Sequence, residues 1–166
     1  MQAVKDCRFM FMWCRAKDVD MSSITVTTEA GGITNTRNMF ALACIENLDL
    51  SGWDTSHVND MRFMFSLYGV LARFVDGVVS YDDAFNKSEW YGNIIIGQSE
   101  EGEKTFKINK DTQIFGMFFI TALKNLDLTN VDVSSRTSLA RMFEFAMSTI
   151  AIEESLDVEH TLDIST

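Results

Sequence analysis

The chain has 166 residues, of which 46% are hydrophobic and 23% charged, a composition that indicates one globular domain over residues 1–166 rather than a disordered chain. Its net charge of −10 disfavours nucleic acid and anionic membranes and favours cationic partners or metal ions, although solubility alone also accounts for an acidic surface. Apolar runs are short and interrupted by charges, so we expect neither membrane insertion nor a signal peptide in this chain.

In chain order, the first landmarks are Met10-Phe11 and the strand-like Val19-Asp20-Met21-Ser22, followed by a four-residue insertion within 24–32. Met-Phe pairs recur at 39–40, 64–65, 117–118 and 142–143, and two of the spacings, 39 to 64 and 117 to 142, are 25 residues. The strand-like runs at 48–51 and 126–129 both begin eight residues after a Phe. Two landmarks in constant register predict a structural repeat.

Each repeat combines two elements. In Leu48-Asp49-Leu50-Ser51 the apolar residues alternate, which predicts a short strand with its leucines on one side. The turn at 53–56 supplies hydroxyls that can cap a helix. Val58, Met61 and Phe65 then follow at helical spacing and predict a short helix. Such a unit cannot bury its apolar side alone, so we expect copies to stack with parallel strands.

The pattern L-D-L-S-x-W-D-T-S-x-V-x-x-M-x-x-M-F at 48–65 resembles the repeat of the BspA-like leucine-rich-repeat surface proteins. Residues 4–23, 33–47 and 114–143 match it in outline. The resemblance implies an α/β fold: a leucine-rich-repeat-like solenoid of short parallel strands and short helices, about 25 residues per repeat. It also implies a cell-surface or secreted protein that serves adhesion and protein binding rather than catalysis.

Three segments depart from this pattern: the insertion at 24–32, the middle, and the C-terminus. Residues 66–113 hold at most a degenerate repeat, with Trp90-Tyr91 in place of Met-Phe, and 93–109 predicts a hairpin insertion. The C-terminal SLDVEHTLDIST is strand-like but out of step with the repeat.

Few residues suit catalysis or metal binding. Of the two histidines, His57 lies in a turn and is expected to be plain surface. The three cysteines lack C-x-x-C spacing and are too few for a disulfide framework, and Cys14 and Cys44 are expected to be core. We therefore predict no catalytic residue, metal site or cofactor.

The one suggestive constellation is acidic. If the strands stack in parallel, three aspartates share an outward column, flanked by hydroxyls: Asp20, Asp49 and Asp127, with Ser22, Ser51 and Thr129. Charges about 4.8 Å apart repel by roughly 1 kcal/mol even in water, so a cationic ligand, a basic partner or a divalent ion would relieve them. Alternatively, solvent and the neighbouring hydroxyls suffice. Asp127 is expected to be separated from the other two by the degenerate repeat.

These observations favour a non-catalytic protein-interaction or surface-attachment module that uses its strand face. Two alternatives remain open: a structural segment of a longer repeat protein, and a carboxylate-based hydrolase built on the middle region. The candidate carboxylates for the hydrolase are Asp76, Asp82, Asp83 and Glu89. Terminal repeats need polar caps, but Phe9, Phe11 and Trp13 crowd the N-terminal end, which predicts self-association through the solenoid ends.

Overall fold

A computed structural model describes residues 4–23, 32–68, 72–75, 78–81, 92–100, 103–119, 121, 123–135, 138–144 and 161–163. Their strands, in chain order, are β1 (Arg15–Asp20), β2 (Cys44–Leu50), β3 (Ala72–Val75), β4 (Val78–Tyr81), β5 (Gly92–Ile96), β6 (Ser99–Glu100), β7 (Glu103–Lys104), β8 (Phe106–Lys107), β9 (Leu123–Asp127), β10 (Val131–Asp132) and β11 (Thr161–Asp163). Among these described residues, no helix is long and apolar enough to cross a membrane.

The main sheet has five strands in the order β1-β2-β5-β9-β11, and every neighbouring pair is parallel. Its register aligns Val19 with Leu48, Leu48 with Ile94, and Ile94 with Leu126. Leu48, Ile94 and Leu126 are buried. Alternate residues of a strand point to one side, and this side of the sheet faces the core. The predicted common parallel sheet for the Leu-Asp runs is confirmed.

Behind the sheet, the phenylalanines of the Met-Phe pairs form a single column. Ring centroids of successive residues are 5.2, 5.7, 5.1 and 5.2 Å apart, and the rings are within 12° of parallel. The column runs Phe11, Phe40, Phe65, Phe118, Phe143. Each repeat unit is therefore a turn segment with one Phe, followed by one strand of the sheet. The predicted alignment of these rings is confirmed.

The predicted helices are wrong: the segment containing Met61 and Phe65 is a succession of turns, and the structure assigns no helix to any described residue. Amides of Met64, Ser66 and Tyr68 bond to carbonyls three residues earlier. The intervening amides of Phe63, Phe65 and Leu67 donate instead to the next unit. An α-helix needs every amide for its own i→i−4 ladder, so this sharing excludes one.

Left-handed backbone makes these turns possible. Phe9, Asn38, Phe63, Gly116 and Arg141 occupy one repeat position, and all have φ between 56° and 62°. A positive φ at the third residue is what a type II turn requires. Thr55, expected to cap a helix, instead donates its hydroxyl to the Lys107 carbonyl of the next unit at 2.8 Å. The α/β expectation thus fails in its helical half.

The middle region adds one strand to the sheet and no ring to the column. Phe65 stacks directly on Phe118, and β5 lies between β2 and β9. Antiparallel pairing joins β3 to β4 and β6 to β7. The hairpin predicted over 93–109 therefore exists only around 99–104, because 93–96 joins the main sheet and β8 pairs in parallel with β10. Trp90-Tyr91 lies outside the described residues.

The C-terminal strand is in step with the sheet, contrary to expectation. β11 pairs with β9 so that Leu162 aligns with Leu126 and Asp163 with Asp127. The segment from Phe143 to Leu162 is longer than the corresponding segment from Phe118 to Leu126, which is why the strand is out of step in the sequence although it aligns in the sheet.

Candidate functional site

The outward side of the main sheet carries the predicted acidic column. Asp20 aligns with Asp49, Asp49 with Ile95, and Ile95 with Asp127. Asp20 and Asp49 are therefore side by side, about 4.8 Å apart as neighbouring strands are. Ile95 separates Asp127 from them, which is the separation expected from the degenerate repeat. By register alone, Asp163 continues the column beyond Asp127.

Three aspartates of the column, each at or next to the end of its strand, also bond to the backbone. The carboxylates of Asp20, Asp49 and Asp127 accept from the amides of Ser22, Ser51 and Thr129 at 2.9, 2.8 and 2.8 Å. The Ser22 hydroxyl donates to Asp20 as well, at 2.6 Å. These are Asx turns, which tie the carboxylate to the chain two residues on.

The Asx turn at Asp20 lowers the pKa of its carboxyl group. Hydrogen bonds from the Ser22 hydroxyl and then the Ser22 amide lower the pKa of Asp20. Local donors thus hold this exposed carboxylate in its charged form without a ligand. The Ser22 hydroxyl is thus one of the neighbouring hydroxyls that the sequence offered as an alternative to a cation at Asp20.

Beside the column runs a row of amides that the sequence reasoning missed. The side-chain amide of Asn47 donates to the Asp18 carboxylate at 2.7 Å, and that of Asn93 donates to Asn47 at 3.0 Å. By register the row continues to Asn125. The sequence did indicate this row, because Asn47 and Asn125 both lie two residues before an aspartate of the column. Residues two apart in a strand share a face.

Ile95 interrupts the acidic column with an apolar side chain that is 53% exposed. Its neighbours in the column, Asp49 and Asp127, are polar, and so is Asn93 on the same strand face. The outward face therefore has one apolar side chain at its centre, with carboxylates on both sides. We call this surface, made of Asp20, Asp49, Asn93, Ile95 and Asp127, the sheet face.

A second group of charged residues, Asp54, Lys107 and Asp132, lies outside the sheet face. The pKa of Lys107 is raised mainly by its hydrogen bond to Glu103, and the negative charges of Asp54 and Asp132 raise it further. Asp132 bonds to the Ser134 amide at 2.8 Å, and bonds from Ser134 followed by the Lys107 charge lower the pKa of Asp132. Here the middle region supplies a cation near two carboxylates.

The described residues contain no group of three or more His, Cys, Asp or Glu placed to hold a metal ion. His57 is exposed, and its Nδ1 lies 3.1 Å from the Ser56 hydroxyl. Cys44 is buried, as predicted, and burial raises the pKa of its thiol. Cys14 is only partly buried but packs against the core.

The four carboxylates predicted for a hydrolase belong to the middle region. Asp76, Asp82, Asp83 and Glu89 all lie outside the described residues, as does His160. The hydrolase therefore stays a prediction from the sequence.

Comparison with known proteins gives one family. Residues 1–82 and 75–164 each match the model of the family described as "Mycoplasma protein of unknown function, DUF285". No curated protein and no solved structure matches the chain. The two matches divide the chain near the middle region, so each covers about half of the stacked units. The chain belongs to the DUF285 family.

Proposed function

We propose that this chain is a non-catalytic protein-binding module that recognises a partner through the sheet face. The observation that carries the proposal is the exposed Ile95, which lies between polar residues on the neighbouring strands. Interfaces generally combine an apolar anchor with a polar rim, and Asp49 and Asp127 provide that rim on the two neighbouring strands.

Charge selects the class of partner. Carboxylates on both sides of Ile95 favour a ligand with an apolar residue between basic residues. The overall charge of −10 would steer such a ligand towards the protein and repel acidic ones. The proposed partner is therefore a basic protein segment rather than nucleic acid or an anionic membrane.

Rigidity supports a binding role. The Asx turns at Asp49 and Asp127 hold the carboxylates, and the Asn47–Asn93 bond couples adjacent strands. Side chains that are already ordered lose less conformational entropy when a ligand binds. The sheet face is thus preorganised.

The resemblance to BspA-like leucine-rich-repeat surface proteins supports the same reading. We propose that the stacked units form a leucine-rich-repeat-like solenoid in which turns replace helices, and that the protein acts in attachment at a cell surface. Stacked repeats present extended strand faces that bind other proteins.

Peptide binding tests the proposal. An array of peptides with an apolar residue flanked by Lys or Arg should bind the chain, and sequence-matched peptides with Glu at the flanking positions should not. Asp49→Asn combined with Asp127→Asn should weaken binding by about tenfold, at roughly 0.5–1 kcal/mol per charge pair. Asp111→Asn, an exposed acid before the fourth unit, is the control that should retain binding.

Ile95→Asn separates the apolar contribution from charge, and it should weaken binding at high salt as well as at low salt. Equal binding by the wild type and the double variant would reject the sheet face as the binding site.

A further inference from the structure

The amides of the column phenylalanines all donate in one direction along the stack, whereas other bonds between units, such as those from the Thr34 amide to Lys5 and from the Cys44 amide to Cys14, run the opposite way. In the turn segments, the amide of each column Phe donates to the carbonyl of the Met in the following unit. The pairs are Phe11 to Met39 at 2.8 Å, and Phe40 to Met64, Phe65 to Met117 and Phe118 to Met142 at 2.9 Å. The stack therefore has polarity: its first unit presents the Met10 carbonyl in the acceptor position, and its last presents the Phe143 amide in the donor position.

The two ends also expose apolar side chains that interior units bury. Met10 is 58% exposed, whereas the equivalent Met39 and Met64 are at most 1% exposed. At the other end Leu139 is 40% exposed, whereas the equivalent Met61 and Ile114 are at most 4% exposed. A neighbouring unit is what covers these positions inside the stack.

We propose that the two ends bind each other, so that copies of this chain associate head to tail and continue the stack. Phe143 of one copy would stack on Phe11 of the next, as it stacks on Phe118 within the chain. The sheet would continue in parallel, because β1 lies at one edge and β11 at the other. The occupant of the N-terminal end is thus the C-terminal end of a second copy.

The same polarity argues against pairing of two N-terminal ends. Such a dimer would bring the turn-segment carbonyls of two first units together, acceptor against acceptor, and these carbonyls would lack the Phe amides from which they accept inside the stack. It would also set the two β1 strands antiparallel, unlike every pair in the main sheet. A head-to-tail contact leaves one free end on each copy, so it generates assemblies that grow with concentration.

Sedimentation velocity on the full chain tests the proposal. The weight-average mass should rise at least about twofold between roughly 1 µM and several hundred µM, since small interfaces bind weakly. Met10→Glu should abolish the rise. Gln113→Glu, which adds the same charge at an exposed residue outside the sheet face and both ends, should leave the rise intact and show that added charge alone does not prevent association.

A mixing experiment determines which ends meet. Met10→Glu and Leu139→Glu each block one end, so each variant alone should remain monomeric. An equimolar mixture should form a 1:1 dimer and nothing larger, because only one productive pair of ends remains. Circular dichroism identical to that of the wild type shows that both variants are folded.

Three outcomes would overturn the proposal. They are a wild-type chain that stays monomeric throughout, a Leu139→Glu variant that dimerises alone, and a Met10→Glu variant that associates as the wild type does.

Discussion

At the scale of single residues, an aspartate bonds to the amide two residues later near the strand ends, at Asp20, Asp49 and Asp127, and again at Asp60. Asp60 adds a stronger partner, because its carboxylate also receives two bonds from the Arg62 guanidinium, at 2.9 and 2.7 Å. Burial raises the pKa of Asp60, but the bonds from Arg62 and the charges of Arg62 and Arg37 outweigh it, so the net pKa is lowered. Asp60 is therefore a carboxylate that stabilises the fold only when it is charged.

The stability that Asp60 contributes should depend on pH. A lowered folded-state pKa means that the stabilisation is present above the unfolded value, about pH 3.9, and is lost as pH falls through the folded value. Asp60→Asn should therefore lower Tm at pH 7, and the Tm difference from the wild type should shrink below about pH 4. In an Arg62→Ala background the same substitution should have a smaller effect at pH 7. A Tm difference that grows on acidification would contradict this account.

Gly52 illustrates how closely the units approach one another. A Cβ added there would lie 1.7 Å from the backbone oxygen of Ser22 in the preceding unit. The obstacle is backbone, so it cannot move aside as a flexible side chain would. Gly52→Ala should therefore cost about 3 kcal/mol or more in the free energy of unfolding, measured by urea denaturation. Ser51→Ala, one residue earlier, should change it by less than about 0.5 kcal/mol.

At the scale of elements, the phenylalanine column joins each turn segment to the next. Phe65 is fully buried between two rings, at 5.7 and 5.1 Å, whereas Phe11 is partly exposed and has one ring neighbour at 5.2 Å. Stacked pairs contribute roughly 0.5–1.5 kcal/mol beyond the area they bury. An interior ring therefore holds two units, and an end ring holds one.

We expect Phe65→Ala to destabilise the fold by about 3–5 kcal/mol, as truncation of a buried Phe does. Phe11→Ala should cost less than half as much, because it leaves a cavity open to solvent and removes one stacked pair. Chemical denaturation of both variants measures the difference. Equal losses in the free energy of unfolding for the two variants would show that a second stacked neighbour adds no stability.

At the scale of the whole molecule, register was predictable and backbone conformation was not. The Leu-Asp runs and the Met-Phe pairs determine which residues face the core, so the parallel sheet and the ring column followed from them. Apolar residues at 58, 61 and 65 suit a helix, yet a series of turns buries the same side chains. Positive φ is typical of Gly116 and tolerated by Asn38, but Phe9 and Phe63 carry no such signal.

The candidate site was predictable to a similar extent. Asp20, Asp49 and Asp127 share one column because the strands carrying them repeat the same pattern. Ile95 could not be placed among them, since its strand comes from a segment with neither landmark of the repeat. The stacking of Phe65 on Phe118 is what assigns that strand to the third unit, and this contact depends on long-range packing.

The central claim is that the units stack in chain order, so that Phe65 stacks directly on Phe118 although these residues are 53 positions apart in the sequence. Nuclear Overhauser spectroscopy on protein labelled in its phenylalanine rings tests it most directly. The account predicts contacts between Phe65 and both Phe40 and Phe118, whose centroids lie 5.7 and 5.1 Å away, and none between Phe40 and Phe118. A spectrum in which Phe65 contacts Trp90 or Tyr91 in place of Phe118 would contradict it.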